Sequence, residues 1–341
     1  MPFHTESAAE CASHIDTLAK PPGSLGDLER LAIRLAGCQG SARPTCVHPR
    51  VIVFAGDHGV TVESVSPYPS AVTVAMVRTF AAGKAAVSAL ARVADADLEV
   101  VDVGVIGLGP VTAGPGVRVV SANVRAGTRN LAETAAMTTK ERDAALDAGR
   151  AAVDRAAADG VDVLALGEMG IGNSTPAAAL TAALCGLDAA AATGPGTGLD
   201  ADGVKHKSEV IARALARGGP RDPLGALADL GGLEIAALTG AMHRAAEVGI
   251  PVFVDGFICS AAARVAVGAW PSTTPFLIPA TRSTEPGQAA LLEALEGPPL
   301  LDLRLRLGEA SGAALALPLA RAACAIPSEM ATLAEVLAGA S

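Results

Sequence analysis

Residues 161–174, VDVLALGEMGIGNS, contain the pattern that decides the fold of this chain. An apolar run long enough for a buried strand leads directly into a turn with three glycines. Pro176 follows, where the first turn of a helix tolerates proline, and an alanine-rich stretch continues to about residue 185. The segment therefore predicts a strand, a tight turn and a helix, as in a βαβ unit.

The same succession recurs along the chain. Strands are predicted at 51–55, 98–105, 251–257 and 273–280, and helices at 8–19, 28–37, 71–93, 139–158 (with Thr139 as N-cap), 202–217, 233–248, 259–268, 286–296 and 311–325. Alternating strands and helices favour an α/β fold with a largely parallel sheet. Ligands of open α/β sheets bind beyond the carboxyl ends of the strands. We therefore expect four strand ends, AGDHG, VDVGV, LGEMG and VDGF, to form one site.

The composition excludes several classes of function. Half of the 341 residues are apolar, so a large core is available and disorder is excluded as the overall state. The net charge is −9 and aromatic residues make up 2%, so neither a nucleic-acid partner nor a membrane is expected. No uncharged apolar run has membrane-spanning length, the first residues lack a secretory signal, and the six cysteines are scattered. We therefore expect a cytoplasmic protein with reduced thiols and no metal site.

The turn at 167–175, GEMGIGNST, is the sharpest candidate for a binding site. Glycines expose backbone N–H groups, and a helix that begins here directs its dipole at an anion, so the turn predicts a phosphate site. It lacks the lysine of a P-loop and the spacing of a dinucleotide fingerprint, and an ordinary tight βα turn would have the same glycines. Glu168 inside the turn favours the functional interpretation.

A second glycine-rich turn, TGPGTG at 193–198, precedes Lys205 and Lys207. A lysine close to such a turn could neutralise a phosphate, but it could equally be a solvated residue at the start of a helix. Asp57 and His58 follow a predicted strand. Because no second histidine stands at ligand spacing, a structural role is expected for His58 rather than a metal site.

Glu309 lies in an apolar segment flanked by glycines, LRLGEASGAA at 305–314. Desolvation in such a segment would raise the pKa of the carboxyl and make it a usable general base. The alternative is a carboxylate at the start of a helix, near the dipole or paired with Ser311.

Seven segments together resemble one family. They are KPPGSLGDLE (20–29), AGDHGV (55–60), VSPYPSAVT (65–73), VDVGV (101–105), GEMGIGNST (167–175), DGF (255–257) and RLGEASGAALALP (306–318). In this order, over nearly the whole chain, they are similar to the nicotinate-nucleotide–dimethylbenzimidazole phosphoribosyltransferases of cobalamin biosynthesis.

The resemblance implies an enzyme that transfers phosphoribose from nicotinate mononucleotide to 5,6-dimethylbenzimidazole, giving α-ribazole 5′-phosphate and nicotinate. No metal or cofactor is implied. The resemblance also implies a homodimer and a parallel, Rossmann-like sheet flanked by helices. This sheet is expected in a large domain at 41–319, with a smaller helical domain formed from 1–40 and 320–341.

The resemblance assigns roles to individual residues. Glu309 corresponds to the general base, which removes the benzimidazole proton, and Glu168 to a second active-site carboxylate that stabilises the ribose or its C1′. The nucleotide- and phosphate-binding positions are Gly170, Gly172, Asn173, Ser174, Lys207, Gly256 and Ser283. The base pocket is expected at Ser66, Met76 and Leu307, with some members carrying glutamine where Met76 aligns. With few aromatic residues, the base should lie mostly between aliphatic side chains and backbone.

Two other functions fit the predicted fold less well. An NAD-type oxidoreductase would need a strand followed by G-x-G-x-x-G and an acidic residue about 20 positions later, and no strand has this pattern. A non-catalytic nucleotide-binding module would keep its function when Glu309 is replaced, which distinguishes it from a transferase.

Overall fold

The computed structural model describes residues 2–220 and 222–339. Six of its strands form one sheet: β1 Pro49–Gly56, β2 Asp97–Gly104, β3 Val117–Ser121, β4 Val163–Met169, β5 Val252–Val254 and β6 Leu277–Pro279. Their order is β3-β2-β1-β4-β5-β6, and each neighbouring pair is parallel. Two short strands, β7 Thr281–Ser283 and β8 Leu301–Leu305, form a separate parallel pair. The predicted parallel α/β fold, with the strand order of doubly wound nucleotide-binding sheets, is confirmed.

Helices cover both faces of the sheet. In the described part of the chain they are α1 Thr5–Thr17, α2 Asp27–Gln39, α3 Ala71–Ala81, α4 Ala86–Val93, α5 Thr139–Ala158, α6 Ser174–Cys185, α7 Ala189–Ala192, α8 Ala201–Ala216, α9 Pro223–Leu230, α10 Leu233–Val248, α11 Phe257–Ala269, α12 Gln288–Leu292, α13 Ser311–Glu329 and α14 Leu333–Gly339. Two 3₁₀ turns lie at Gly59–Glu63 and Pro271–Phe276.

Alternate residues of the strands enter two separate hydrophobic cores. Ile52 and Phe54 of β1 pack with helices α5 to α12, whereas Val51 and Val53 pack with α1 to α4 and α13. This two-sided burial explains why the central strands are continuous apolar runs. Because most buried side chains are Ala, Val, Leu and Ile, the cores form with few aromatic rings.

Helices from the two ends of the chain lie together. α1, α2 and α13 bury Cys11, Leu35 and Ala320 in one core, which also contains residues of the sheet. Leu18 forms an antiparallel bridge with Thr332. A separate small domain at 1–40 and 320–341 stays a prediction. Its last two residues, 340 and 341, and residue 1 lie outside the described residues.

Several element predictions were incomplete or wrong. Thr139 is not the N-cap of α5, because Thr138 caps the helix and forms a capping box with Glu141. The single helix predicted at 71–93 is two helices, α3 and α4. Three strands were missed: β3 is an edge strand without a fully buried residue, and β7 and β8 are short and largely outside the cores. The short helices α7, α9 and α14 were also not predicted.

Residues Ala71–Val93 are the one described segment with the length and mean hydropathy of a membrane span, which the sequence analysis overlooked. The chain leaves the helical conformation at 82–85, so α3 and α4 are only about 17 and 12 Å long, against a hydrocarbon core of about 30 Å. Phe80 and Val87 are buried against the sheet. The apolar character of this segment is explained by packing in the core.

Candidate active site

A cavity of about 610 Å³ opens at the carboxyl ends of β4 and β5. This volume is typical of small-molecule sites. The cavity lies beside the point between β1 and β4 where the strand order reverses, which is where doubly wound sheets bind ligands. Its wall consists of Tyr68, Val72, Met76, 168–171, Asn173, Ser174, Gly196, Thr197, 255–258, Thr281, Ser283, Glu285, 304–309 and Ser311.

Nine of the twelve predicted site residues meet in this one cavity. They are Glu168, Glu309, Gly170, Asn173, Ser174, Gly256, Ser283, Met76 and Leu307. The other three, Gly172, Lys207 and Ser66, do not line it. Gly172 lies inside the turn before α6, with a positive φ of 87°. The Ser66 hydroxyl accepts a hydrogen bond from the Tyr68 backbone N–H at 3.2 Å, so it supports the wall from behind.

Two helix N-termini point into the cavity. α6 and α11 begin next to Asn173 and Gly256, and neither helix has a side-chain cap. Asn173 stands at the N-cap position of α6, but its side-chain amide donates to the Glu168 carboxylate. The uncapped N–H groups and the helix dipoles therefore remain available to an anion.

Glu168 is buried at the end of β4, with 5% of its surface exposed. Burial, followed by the nearby carboxylates Glu234 and Asp255, raises the pKa of Glu168 to about 8, against the opposing hydrogen bond from Asn173. Oε1 of Glu168 lies 2.5 Å from the place where a Cβ on Gly308 would be, so only glycine fits there. Glu168 is therefore a largely protonated carboxyl held against the segment that leads to Glu309.

Glu309 stands in a strained turn before α13. Gly308, Glu309 and Ala310 have φ values of 82°, 63° and 66°, three successive residues in a conformation that disfavours side chains. Glu309 is 4% exposed as a whole residue, and its Oε2 is buried with no hydrogen-bond partner among the described residues. Burial raises the pKa of Glu309 to about 7, partly offset by the backbone N–H of Val87.

Asp255 holds this turn in place from the end of β5. Its Oδ1 accepts hydrogen bonds from the backbone N–H groups of Gly312 at 2.8 Å and Ala313 at 3.0 Å, so it caps α13 across the chain. Burial raises the pKa of Asp255 to about 6, although these backbone donors oppose the shift. The cap fixes the first turn of α13 and, through it, the position of Glu309.

Lys207 lies behind the cavity wall. Its side chain is fully buried, and Nζ donates to Ser174 Oγ at 2.9 Å and to the Gly194 carbonyl at 3.2 Å. Burial lowers the pKa of Lys207 to about 8, against the attraction of Glu285. The lysine is therefore not the solvated residue of the alternative interpretation, and it contacts the cavity through Ser174.

Two of the four expected strand ends do not line the cavity. At the end of β2, Asp102 Oδ1 accepts hydrogen bonds from the N–H groups of Gly104 and Val105, which closes a local turn. At the end of β1, His58 Nε2 lies 2.9 Å from Glu234 Oε1, and both side chains are fully buried. Burial opposes a charge on His58, but Glu234 and Asp57 outweigh it and raise its pKa. In the described part of the chain no three His, Cys, Asp or Glu side chains group as metal ligands.

Comparisons with known proteins agree with this geometry. A family model described as phosphoribosyltransferase matches residues 1–337. The chain is 52% identical over 336 residues to the nicotinate-nucleotide–dimethylbenzimidazole phosphoribosyltransferase of Pseudomonas putida, covering 98% of this chain and 95% of the relative. A similarly named protein of Pseudomonas aeruginosa is 53% identical over 326 residues, covering 95% of this chain and 92% of the relative. This chain is a member of the phosphoribosyltransferase family.

Solved structures support the same assignment. The crystal structure of CobT from Thermus thermophilus superposes with a TM-score of 0.92 at 46% identity, covering 97% of this chain and 98% of the other. The predicted family and the prediction of a phosphoribosyltransferase enzyme are thereby confirmed.

The sequence analysis missed five residues of the cavity wall that could take part in binding. They are Tyr68, Asp255, Glu285, Arg304 and Arg306. Three of them stood in motifs already quoted, since Asp255 precedes Gly256 in DGF, Tyr68 lies in VSPYPSAVT and Arg306 begins RLGEASGAALALP. Tyr68 is the only tyrosine of the chain and is half exposed at the cavity mouth. No local sequence signal marked Glu285 or Arg304.

Proposed function

We propose that this phosphoribosyltransferase transfers phosphoribose from nicotinate mononucleotide to 5,6-dimethylbenzimidazole, giving α-ribazole 5′-phosphate and nicotinate. The names of the relatives at about half identity support these substrates. The observation that carries the mechanism is the Glu309 carboxyl, buried in the cavity wall with one oxygen unpartnered and a pKa raised to about 7. A group with these properties suits a general base at neutral pH.

Glu309 accepts the N–H proton of the benzimidazole while the other ring nitrogen attacks C1′ of the ribose. The bond between C1′ and the pyridinium nitrogen breaks, and its electron pair returns to the ring, which leaves as nicotinate. Because the donor ring is cationic, the leaving group needs no proton. Attack from the face opposite the leaving ring converts the β-nucleotide into the α-product.

The turn between β4 and α6 holds the rest of the donor. Gly170, Gly172, Asn173 and Ser174 shape the N-terminus of α6, and Gly256 and Ser283 stand at that of α11, where the phosphate binds. Lys207 supplies a positive charge through Ser174. Glu168 contacts the ribose, and the approach of the cationic ring favours ionisation of this carboxyl and stabilisation of charge at C1′.

The acceptor base lies at the end of the cavity formed by Met76 and Leu307. Tyr68 and Val72 extend this surface, and Ser66 supports it by holding the Tyr68 backbone. The side chains are mostly aliphatic, as the low aromatic content suggested, with Tyr68 as an added ring.

We also propose that the chain is cytoplasmic and acts as a homodimer. Sedimentation at micromolar concentration would test the dimer.

The proposal is tested by mixing the purified protein with both substrates in the presence of a chelator. We expect release of nicotinate and an α-ribotide by NMR. The Glu309→Gln variant should release nicotinate at least about a hundredfold more slowly. A β-ribotide, the absence of nicotinate release, or full activity of Glu309→Gln would contradict the mechanism. The last outcome would favour a non-catalytic role for Glu309.

A further inference from the structure

The cavity is lined by carboxyl groups, which cannot attract the anionic groups of the proposed donor. Four carboxyl groups line it, those of Glu168, Asp255, Glu285 and Glu309. Nicotinate mononucleotide carries a phosphate and a carboxylate of its own. The phosphate can use the N-termini of α6 and α11, but the ring carboxylate, at the opposite end of the donor, needs a separate cationic partner.

Two arginines on the wall are available for this purpose. Arg304 and Arg306 are the cationic side chains among the described residues that line the cavity. Both are exposed, and neither guanidinium has a hydrogen bond or ion pair with another described residue. Their neighbour Arg282, which does not line the cavity, forms an ion pair with Asp302 at 3.2 Å. Arg304 and Arg306 thus differ from the surrounding cations in having no protein partner.

The backbone of β8 is irregular where these arginines stand. Thr281 pairs with Leu301 and Ser283 with Leu305, so the three residues 302–304 lie opposite the single residue Arg282. Arg304 has a φ of +56°, a conformation that non-glycine residues rarely adopt. Bulges of this kind redirect side chains next to active sites.

We propose that Arg304 and Arg306 bind the pyridine carboxylate of the donor and so select nicotinate mononucleotide over its nicotinamide counterpart. Guanidinium groups match a carboxylate by paired, charge-assisted hydrogen bonds, and a neutral amide offers much weaker acceptors. This inference rests on the proposed function, because it assumes a nicotinate-bearing donor.

The test measures binding of the product, which contains the carboxylate but no phosphate. Dissociation constants of nicotinate and nicotinamide are determined by calorimetry for the wild type, Arg304→Gln, Arg306→Gln and the double variant. The matched control is Arg282→Gln, an exposed arginine of the same strand pair outside the cavity. We expect the double variant to bind nicotinate at least about tenfold more weakly and nicotinamide within twofold of the wild type. The dissociation constants of nicotinate for the corresponding arginine-to-lysine variants should lie between those of the wild type and the glutamine variants.

Several outcomes would overturn the inference. Unchanged nicotinate binding, or an equal loss for nicotinate and nicotinamide, would show that no charged contact with the carboxylate exists. Equal increases in KM for both mononucleotides, with product binding intact, would place the arginines at the phosphate instead. In another outcome, the wild type binds nicotinate and transfers phosphoribose to dimethylbenzimidazole while the double variant keeps the wild-type preference for nicotinate over nicotinamide. That outcome would contradict this inference but not the proposed function. Failure of the wild type to bind nicotinate would contradict the proposed function.

Discussion

Glu309 illustrates how one residue obtains its chemistry from its surroundings. An ordinary glutamate is ionised at neutral pH and a weak base, but burial raises the pKa of Glu309 to about 7. The left-handed turn that carries it is strained, and such strain persists only where the neighbouring structure fixes it. Part of the alternative interpretation holds, since Glu309 directly precedes the N-cap of α13, but no hydrogen bond joins it to Ser311.

The pH dependence of the reaction follows from this pKa. A general base acts in its ionised form, so kcat/KM should rise with pH through about 7 and level off above it. Glu309→Gln should remove this rise. Titration of free dimethylbenzimidazole by absorbance in the same buffers separates the pKa of the acceptor from that of the enzyme. A wild-type profile in Glu309→Gln would rule out Glu309 as the base.

Lys207 and Lys205 offer a matched pair on α8. Lys207 is fully buried against Ser174, whereas Lys205 is exposed. Lys207→Met should lower kcat/KM for nicotinate mononucleotide by about tenfold or more, because the phosphate loses a nearby positive charge. Lys205→Met should leave steady-state kinetics unchanged. Equal kinetics for the two variants would remove Lys207 from the phosphate site.

At the scale of elements, α13 depends on a residue far away in sequence. Asp255 caps this helix, so Asp255→Ala should lower the free energy of unfolding by about 1–3 kcal/mol and also reduce kcat, since Glu309 precedes the same first turn. Asp222→Ala, which removes the cap of α9, should reduce stability without reducing kcat. Thermal melts and kinetics of both variants check this. A fully active Asp255→Ala enzyme would show that the cap does not position Glu309.

The sequence predicted an element well where the burial of its residues follows a local pattern of apolar side chains. The strands β1 and β4 contain continuous apolar runs, β2 is buried along all but its first residue, and α10 was predicted with both ends correct. The prediction failed where an element depends on partners that are distant in the sequence. β7 and β8 pair across some twenty residues and bury little, so no local pattern marks them. Arg304, which stands on β8, was missed for the same reason, whereas Arg306 lies in the quoted segment at 306–318.

The glycines required the largest change of interpretation. In the turn at 167–175 we expected glycines to expose backbone N–H groups, yet a Cβ at most of the strand-end glycines would meet protein atoms. Such positions are Gly56, Gly59, Gly104, Gly167, Gly170, Gly194, Gly196 and Gly308. Their main effect is to let parts of the site pack against each other. The sequence shows where a glycine stands, but it does not show which neighbouring atom lies close to that glycine in the folded chain.

For the whole molecule, the buried acids make stability depend on pH. The pKa values of Glu168, Asp255 and Glu309 are raised to about 8, 6 and 7, so at intermediate pH the folded state holds protons that the unfolded chain has released. The free energy of unfolding should therefore fall as pH rises from about 4.5 to 8. His58, whose pKa is also raised, acts in the same direction.

Denaturant titrations at several pH values measure this slope. Glu168→Gln should flatten it and raise the free energy of unfolding at pH 8 by on the order of 2 kcal/mol, because a buried charge no longer forms. Glu209→Gln, at an exposed glutamate, is the matched control and should leave the slope unchanged. A steeper slope in Glu168→Gln would contradict the raised pKa.

The His58–Glu234 pair limits the length of ligand that this sheet can hold. In sheets with this strand order a dinucleotide crosses the reversal, with one half on each side. Here the pair occupies the β1 side of the reversal. A Cβ added to Gly170 would lie 3.0 Å from His58 Nε2, and a Cβ added to Gly232 would lie 2.7 Å from Glu234 Oε2. A second nucleotide on this side would have to displace a buried ion pair. Under the proposed function, we therefore expect the cavity to hold one nucleotide and to leave its remaining space for the acceptor.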